Sequence, residues 1–119
     1  MRVKSELWVR AYLRRCYAEN VPAAIVRHGD DAAGAIFICV HLLDGTVRLY
    51  GPAPAGFAGS ENERRWVRLL GSEPVLKAAA EDYLVRQWQF DPDLWIVEIE
   101  DRAGRHLLGD QAIKDDGDR

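Results

Sequence analysis

The chain has 119 residues, 48% of them hydrophobic and 29% charged. That length suits one domain with a core able to stand without disulfide or metal staples, and the composition excludes wholesale disorder. The net charge of -3 argues against a nucleic-acid binder, because such domains concentrate basic residues.

Ser5 is placed to cap a helix over residues 5–19, with Glu6 in its first turn. Val9, Tyr12, Leu13, Cys16 and Tyr17 recur at helical spacing and form the expected core stripe. Glu6, Arg10 and Arg14 lie four apart on another face. Asn20 and Pro22 supply the stop. Residues 23–28 read as a first strand, followed by the polar hairpin turn GDDAAG. Residues 35–43 (AIFICVHLL) form the strongest strand, rich in β-branched and aromatic side chains. Asp44-Gly45 signals a two-residue type I′ turn into a return strand at 46–50. The stretch GPAPAGFAGS has no period and reads as an irregular, mobile loop. Residues 63–70 alternate as a fourth strand, with a short helix as the rival.

Ser72, Glu73 and Pro74 open a second helix, in which Leu76, Ala80, Tyr83, Leu84 and Trp88 share a stripe. Pro92 ends it by Phe90. Residues 93–101 make a fifth strand, and 105–108 a short sixth. The expected fold is α+β: a mostly antiparallel sheet of five or six strands in the order α-β-β-β-β-α-β(-β), two helices packed on one face. Residues 1–112 form a single domain and 113–119 a frayed acidic tail.

The stretches RVKSELWVRAYLRRC, VRHGDDAAGAIFICVHLLDGTVRLYGPAP and YLVRQWQFDPDLWIVEIEDRAGRHLL resemble a family of short uncharacterised proteins, found mainly in alphaproteobacteria and catalogued as a domain of unknown function. The resemblance spans nearly the whole chain. It implies one α+β domain in a bacterial cytoplasmic protein, and it brings no reaction, cofactor or site residue.

Five carboxylates surround the apolar run near the C-terminus: Asp91, Asp93, Glu98, Glu100 and Asp101. The strand period sorts them. Asp91 and Asp93 belong to the connection and Asp101 to the exit. Glu98 and Glu100 share one face, ~6.5–7 Å apart. With the apolar sets of the strands turned to the helices, Cys39, His41, Arg48, Tyr50, Glu98 and Glu100 fall together on an open sheet face. Of these, His41, Arg48, Tyr50, Glu98 and Glu100 are the candidate ligand-binding residues; no catalytic residue is assigned. Cross-strand ion pairing is the competing explanation. Cys39, His41 and the two glutamates could suit zinc, yet neither H-x-x-x-H nor paired cysteines occur, so no metal and no cofactor is expected. Cys39 as a nucleophile would need His41 beside it. Cys16 and Cys39 lack C-x-x-C spacing and read as buried free thiols of a reducing compartment.

Trp8, Tyr12, Arg10, Arg14 and Arg15 offer a basic-aromatic patch, but the aromatics belong to the core stripe. The N-terminus has no signal-peptide cleavage pattern, and no apolar run approaches a membrane span. The expectation is a cytoplasmic protein with no membrane partner. Its function is read as a small interaction or accessory domain that self-associates, or meets another protein, through an exposed sheet face or edge. The tryptophans Trp8, Trp66, Trp88 and Trp95 are potential interface anchors. The alternative is a domain binding a small molecule, or an enzyme, with its polar site on the open face at His41, Arg48, Glu98 and Glu100.

Overall fold

A computed structural model describes residues 3–54 and 64–109, and the backbone of 113–114. In chain order the elements are α1 (Ser5–Ala18), β1 (Ala23–Arg27), β2 (Ile36–His41), β3 (Thr46–Pro52), β4 (Trp66–Leu69), β5 (Val75–Leu76), α2 (Lys77–Phe90), β6 (Trp95–Glu100) and β7 (Ile113–Lys114). The strands form one sheet in the order β1-β6-β2-β3-β4-β7, with β5 pairing beside β4 along β3. Four ladders are antiparallel; β2–β6 and β4–β7 are parallel. The α+β class and mostly antiparallel sheet follow the sequence expectation.

The helices do not share a face. Val9, Tyr12 and Cys16 of α1 pack with Ile36, Ile38, Val40, Trp95, Val97 and Ile99. Ala80 and Leu84 of α2 pack on the other side, with Phe37, Cys39, Val47, Leu49 and Ile96. This corrects the expectation of two helices on one face. The physical reason is visible in β2, whose first five residues are all buried. Each such side chain stabilises by ~2 kcal/mol when removed from water, so an apolar set on either face demands its own cover. Cys16 and Cys39 are both free and buried, and they lie in the separate clusters on opposite sides of the sheet.

β1 and β2 are not hairpin neighbours. β6 enters between them, antiparallel to β1 and parallel to β2. The 28–35 connection therefore arches over the start of β6. Gly29 and Gly34 make this possible: a Cβ on either would meet the Asp93 carbonyl oxygen, at 2.2 and 2.3 Å. The Trp95 indole donates to the Asp30 carbonyl at 2.8 Å, and Asp30 Oδ2 accepts from the amides of Ala32 and Ala33. The same loop receives α1. The amides of Ser5 and Glu6 donate to the carbonyls of Ala32 and Asp31, which satisfies two of the helix's orphan donors. Ser5 is thus not a side-chain cap. It is fully buried, and its hydroxyl donates to the Gly34 carbonyl at 2.6 Å. At the other end Asn20 takes φ 62° and the Val21 amide returns to the Cys16 carbonyl, a left-handed stop. Tyr17, expected in the core stripe, is exposed.

Further differences are local. Residues 66–69 are a strand, not a helix. Val75 and Leu76 pair with β3 before α2 begins at Lys77. Residues 105–108 form no strand. Ile113–Lys114 pairs with β4. Residues 55–60 of the GPAPAGFAGS stretch and 115–119 of the expected tail lie outside the described residues. Among the described residues, no helix is long and apolar enough to cross a membrane.

Candidate functional site

The parallel register of β2 and β6 pairs Cys39 with Glu98 and His41 with Glu100. All four side chains point to the α2 face. His41 Nε2 lies 3.2 Å from Glu98 Oε1, and the same nitrogen lies 3.8 Å from Cys39 Sγ. The His41 and Glu98 side chains are 16% and 36% exposed, so this pair meets solvent beside α2. Glu100 is exposed.

This cluster does not make a nucleophile. The imidazole nitrogen nearest the thiol is the one facing the carboxylate, so when it carries a proton toward Glu98 it has no lone pair for the thiol. Cys39 is only 3% exposed, and burial, followed by the nearby Glu98 charge, pushes its thiol up to about 12. The thiolate required for attack or soft-metal binding is suppressed. Among the described residues, no group of three or more His, Cys, Asp or Glu is arranged to hold a metal ion.

Arg48 and Tyr50 do not join it, which corrects the expected constellation. They face α1, where Arg48 pairs with Val40 and Tyr50 with Ile38. A two-residue Asp44-Gly45 turn would set Leu43 opposite Thr46 and His41 opposite Arg48. The observed loop holds three residues, because the Leu42 amide bonds to the Thr46 carbonyl. Leu43 takes φ 65° and Gly45 φ 90°, while Asp44 Oδ1 accepts from the Thr46 amide and hydroxyl. His41 therefore pairs with Val47. A one-residue shift sends every side chain of β3 to the opposite face. Arg48 donates instead to the Ser72 carbonyl at 3.0 Å. The sheet also has no bare face at this point, since α2 covers the side on which the acids stand. His41, Glu98 and Cys39 converge; Arg48, Tyr50 and Glu100 do not.

A second surface lies at the end of the sheet. β1 ends the sheet, and among the described residues its outer edge has no strand partner. The register shifts between Ile25 and Arg27, and Val26 at this irregularity is 55% exposed. The Arg27 guanidinium lies 3.9 Å above the Trp88 ring and donates to the Pro92 carbonyl, joining the edge to the last turns of α2. There Val85, Trp88 and Phe90 are 47%, 42% and 87% exposed. Trp88 was read both as part of the α2 stripe and as a potential interface anchor; in α2 only Ala80 and Leu84 are buried. The available signal was the helix itself: Leu84 and Trp88 are four apart, but Val85, Trp88 and Phe90 extend the apolar surface beyond a single stripe.

Residues 3–109 match the profile of a family described as "Protein of unknown function (DUF1491)". A crystal structure of a DUF1491 family protein from Caulobacter crescentus CB15 is similar at 33% identity and TM-score 0.77, covering 96% of this chain and 99% of that one. An NMR structure of a DUF1491 family protein from the same organism gives 35% identity, TM-score 0.77, and coverage of 96% and 98%. A solution structure of a protein from A. tumefaciens gives 45% identity and TM-score 0.73 over 85% of this chain and 87% of that one. No curated protein matches the chain.

Proposed function

The chain belongs to the DUF1491 family of proteins of unknown function, and we propose that it is a small interaction domain that pairs with a second copy of itself along the free edge of β1. The observation that carries this reading is the outer edge of β1, which has no strand partner among the described residues, with exposed Val26, Val85, Trp88 and Phe90 near it. Folded domains normally blunt such an edge with lysine, proline, a bulge or a cover. Here the Tyr17 hydroxyl donates to the Ala23 carbonyl and the ladder is irregular between Ile25 and Arg27, so the edge is partly blunted, while Val26 stays exposed and the Arg27 side chain lies on Trp88.

A second copy suits the edge better than an unrelated peptide for a geometric reason. Antiparallel pairing about a two-fold axis uses the same backbone groups on both chains. With the axis perpendicular to the sheet, each α2 stays on the same side of the joined sheet, so both Trp88 patches flank the seam. Aromatic and apolar anchors of this kind dominate interface energies. A cytoplasmic setting is part of the proposal, supported by two buried thiols that remain free.

Light scattering over a dilution series tests it. The wild-type chain is expected to be dimeric and to dissociate on dilution. Val26→Lys, which puts a charge on an already exposed edge position, is expected to be monomeric with its unfolding midpoint little changed. A wild-type chain that is monomeric throughout, or a Val26→Lys dimer as tight as wild type, overturns the proposal.

A further inference from the structure

On the first face of the sheet α1 covers only part of the surface, and the segment 101–109 covers more. Asp101 ties that segment down: its carboxylate accepts from the Arg105 amide at 2.7 Å and from the Arg105 guanidinium at 3.0 Å. The Tyr12 hydroxyl donates to the His106 carbonyl at 2.6 Å. His106 Nδ1 accepts from the Leu108 amide at 2.9 Å, which places the proton of the neutral ring on Nε2.

Between α1 and this segment two clefts adjoin, of about 350 and 190 Å³, and both are lined by Arg15 and Leu107. The larger has a polar wall of Arg15, Arg105 and His106. The smaller adds Trp8 and Tyr12, whose rings stack at 5.0 Å. Leu107, between them, takes φ 59°. A leucine in the left-handed region is strained, and such strain concentrates where ligands are held. Arg15 has no hydrogen bond or ion pair among the described residues, whereas Arg105 shares its charge with Asp101 and Glu19. Among the described residues the cleft thus has a cation without an ion-pair partner at the point where its charged and aromatic halves meet. Both clefts are open to solvent, and together they set an apolar wall beside polar groups, the mix by which small-molecule sites orient a ligand.

We propose that the cleft between α1 and segment 101–109 binds a small organic anion, its acidic group on Arg15 and its apolar part against Trp8, Tyr12 and Leu107. The acidic group is an oxyanion, carboxylate or phosphate, which the planar guanidinium can grip with two parallel bonds. This site is on the opposite face of the sheet from Trp88 and does not depend on the dimer.

The test is an NMR titration of the full chain with phenyl phosphate, benzoate, inorganic phosphate and benzyl alcohol. At least one of the two aromatic anions is expected to shift the amides of residues 8–15 and 104–108. Inorganic phosphate and neutral benzyl alcohol should bind roughly tenfold or more weakly, since each lacks one half of the recognition. A response to phenyl phosphate alone assigns a phosphate ligand; a response to benzoate alone assigns a carboxylate. Arg15→Gln, an exposed position whose loss leaves the fold intact, should weaken the responding anion about tenfold. Equal binding of benzyl alcohol and the aromatic anions, shifts confined to other surfaces, no response to either aromatic anion, or unchanged binding by Arg15→Gln overturns the proposal.

Discussion

Replacing Gly34 with alanine probes the junction on which the fold depends. The new Cβ would lie 2.3 Å from the Asp93 carbonyl oxygen, 2.9 Å from the Asp30 amide nitrogen and 2.9 Å from Trp95 Cδ1. Two of these neighbours are backbone, and Trp95 is fully buried, so no flexible side chain can step aside. The 28–35 loop must lift by about 1 Å to reach ordinary contact. Overpacking of this kind costs roughly 1–3 kcal/mol. Lifting the loop also draws the Gly34 carbonyl from the buried Ser5 hydroxyl, now 2.6 Å away; the hydroxyl oxygen keeps the Arg64 guanidinium as a donor, but its O–H loses its acceptor, which costs about 1–3 kcal/mol more. Stiffening the unfolded chain returns only about 0.4–1 kcal/mol. The net loss is about 1–6 kcal/mol, centred near 3, which lowers Tm by roughly 10 °C at this chain length. Thermal unfolding followed by near-ultraviolet circular dichroism reads it. Ser5→Ala should cost about 1–2 kcal/mol alone and much less in the Gly34→Ala background, because both changes break the same bond. A Gly34→Ala Tm equal to wild type, or fully additive losses, would refute the account of this junction.

Three further outcomes follow from the same geometry. Cys39, buried and with its thiol pushed up to about 12, should carry roughly a thousandfold less thiolate near pH 8 than a free cysteine of pKa ~8.5; alkylation timed in native and denatured protein checks this, and equal rates would contradict it. Asp101 is held below the usual carboxylate range, chiefly by its hydrogen bond from the Arg105 side chain. Its contribution is present above the unfolded value of ~3.9 and is lost as pH falls through the lower folded value. Asp101→Asn should therefore cost about 1–2 kcal/mol at neutral pH, with the gap to wild type closing in acid; urea unfolding at neutral and acid pH measures it. Trp88→Ala removes an exposed cation–π contact worth about 0.5–1 kcal/mol, so sedimentation should show weakened dimerisation while chemical denaturation shows almost unchanged stability.

Helices and strands were legible because their periods are strong: the Val9, Tyr12 and Cys16 stripe and the Trp95, Val97 and Ile99 alternation both sit where the pattern puts them. Sheet order was not. A polar loop holding two glycines between two strands reads as a hairpin, and only β6 beneath it shows that Gly29 and Gly34 serve close approach. β2 is covered by α1 on one face and by α2 on the other. That was written in the unbroken run AIFICV, where each alternate set is apolar. The candidate site failed at one residue of loop length. Leu43 takes a left-handed conformation that its side chain disfavours, so nothing local announced a three-residue turn. With it went the grouping of Arg48 and Tyr50 with His41. The free edge of β1 was invisible because strand neighbours far apart in sequence leave no mark on the strand itself.

The most direct measurement of the central proposal is an isotope-filtered NMR experiment on a mixture of labelled and unlabelled wild-type chains. It detects only contacts that cross from one copy to another. The account predicts cross-copy contacts between Ala23–Arg27 of one chain and the same strand of the other in antiparallel register, with Trp88 of each copy near the seam. Cross-copy contacts confined to a different surface, or none in a sample concentrated well above any dissociation seen by light scattering, would contradict it.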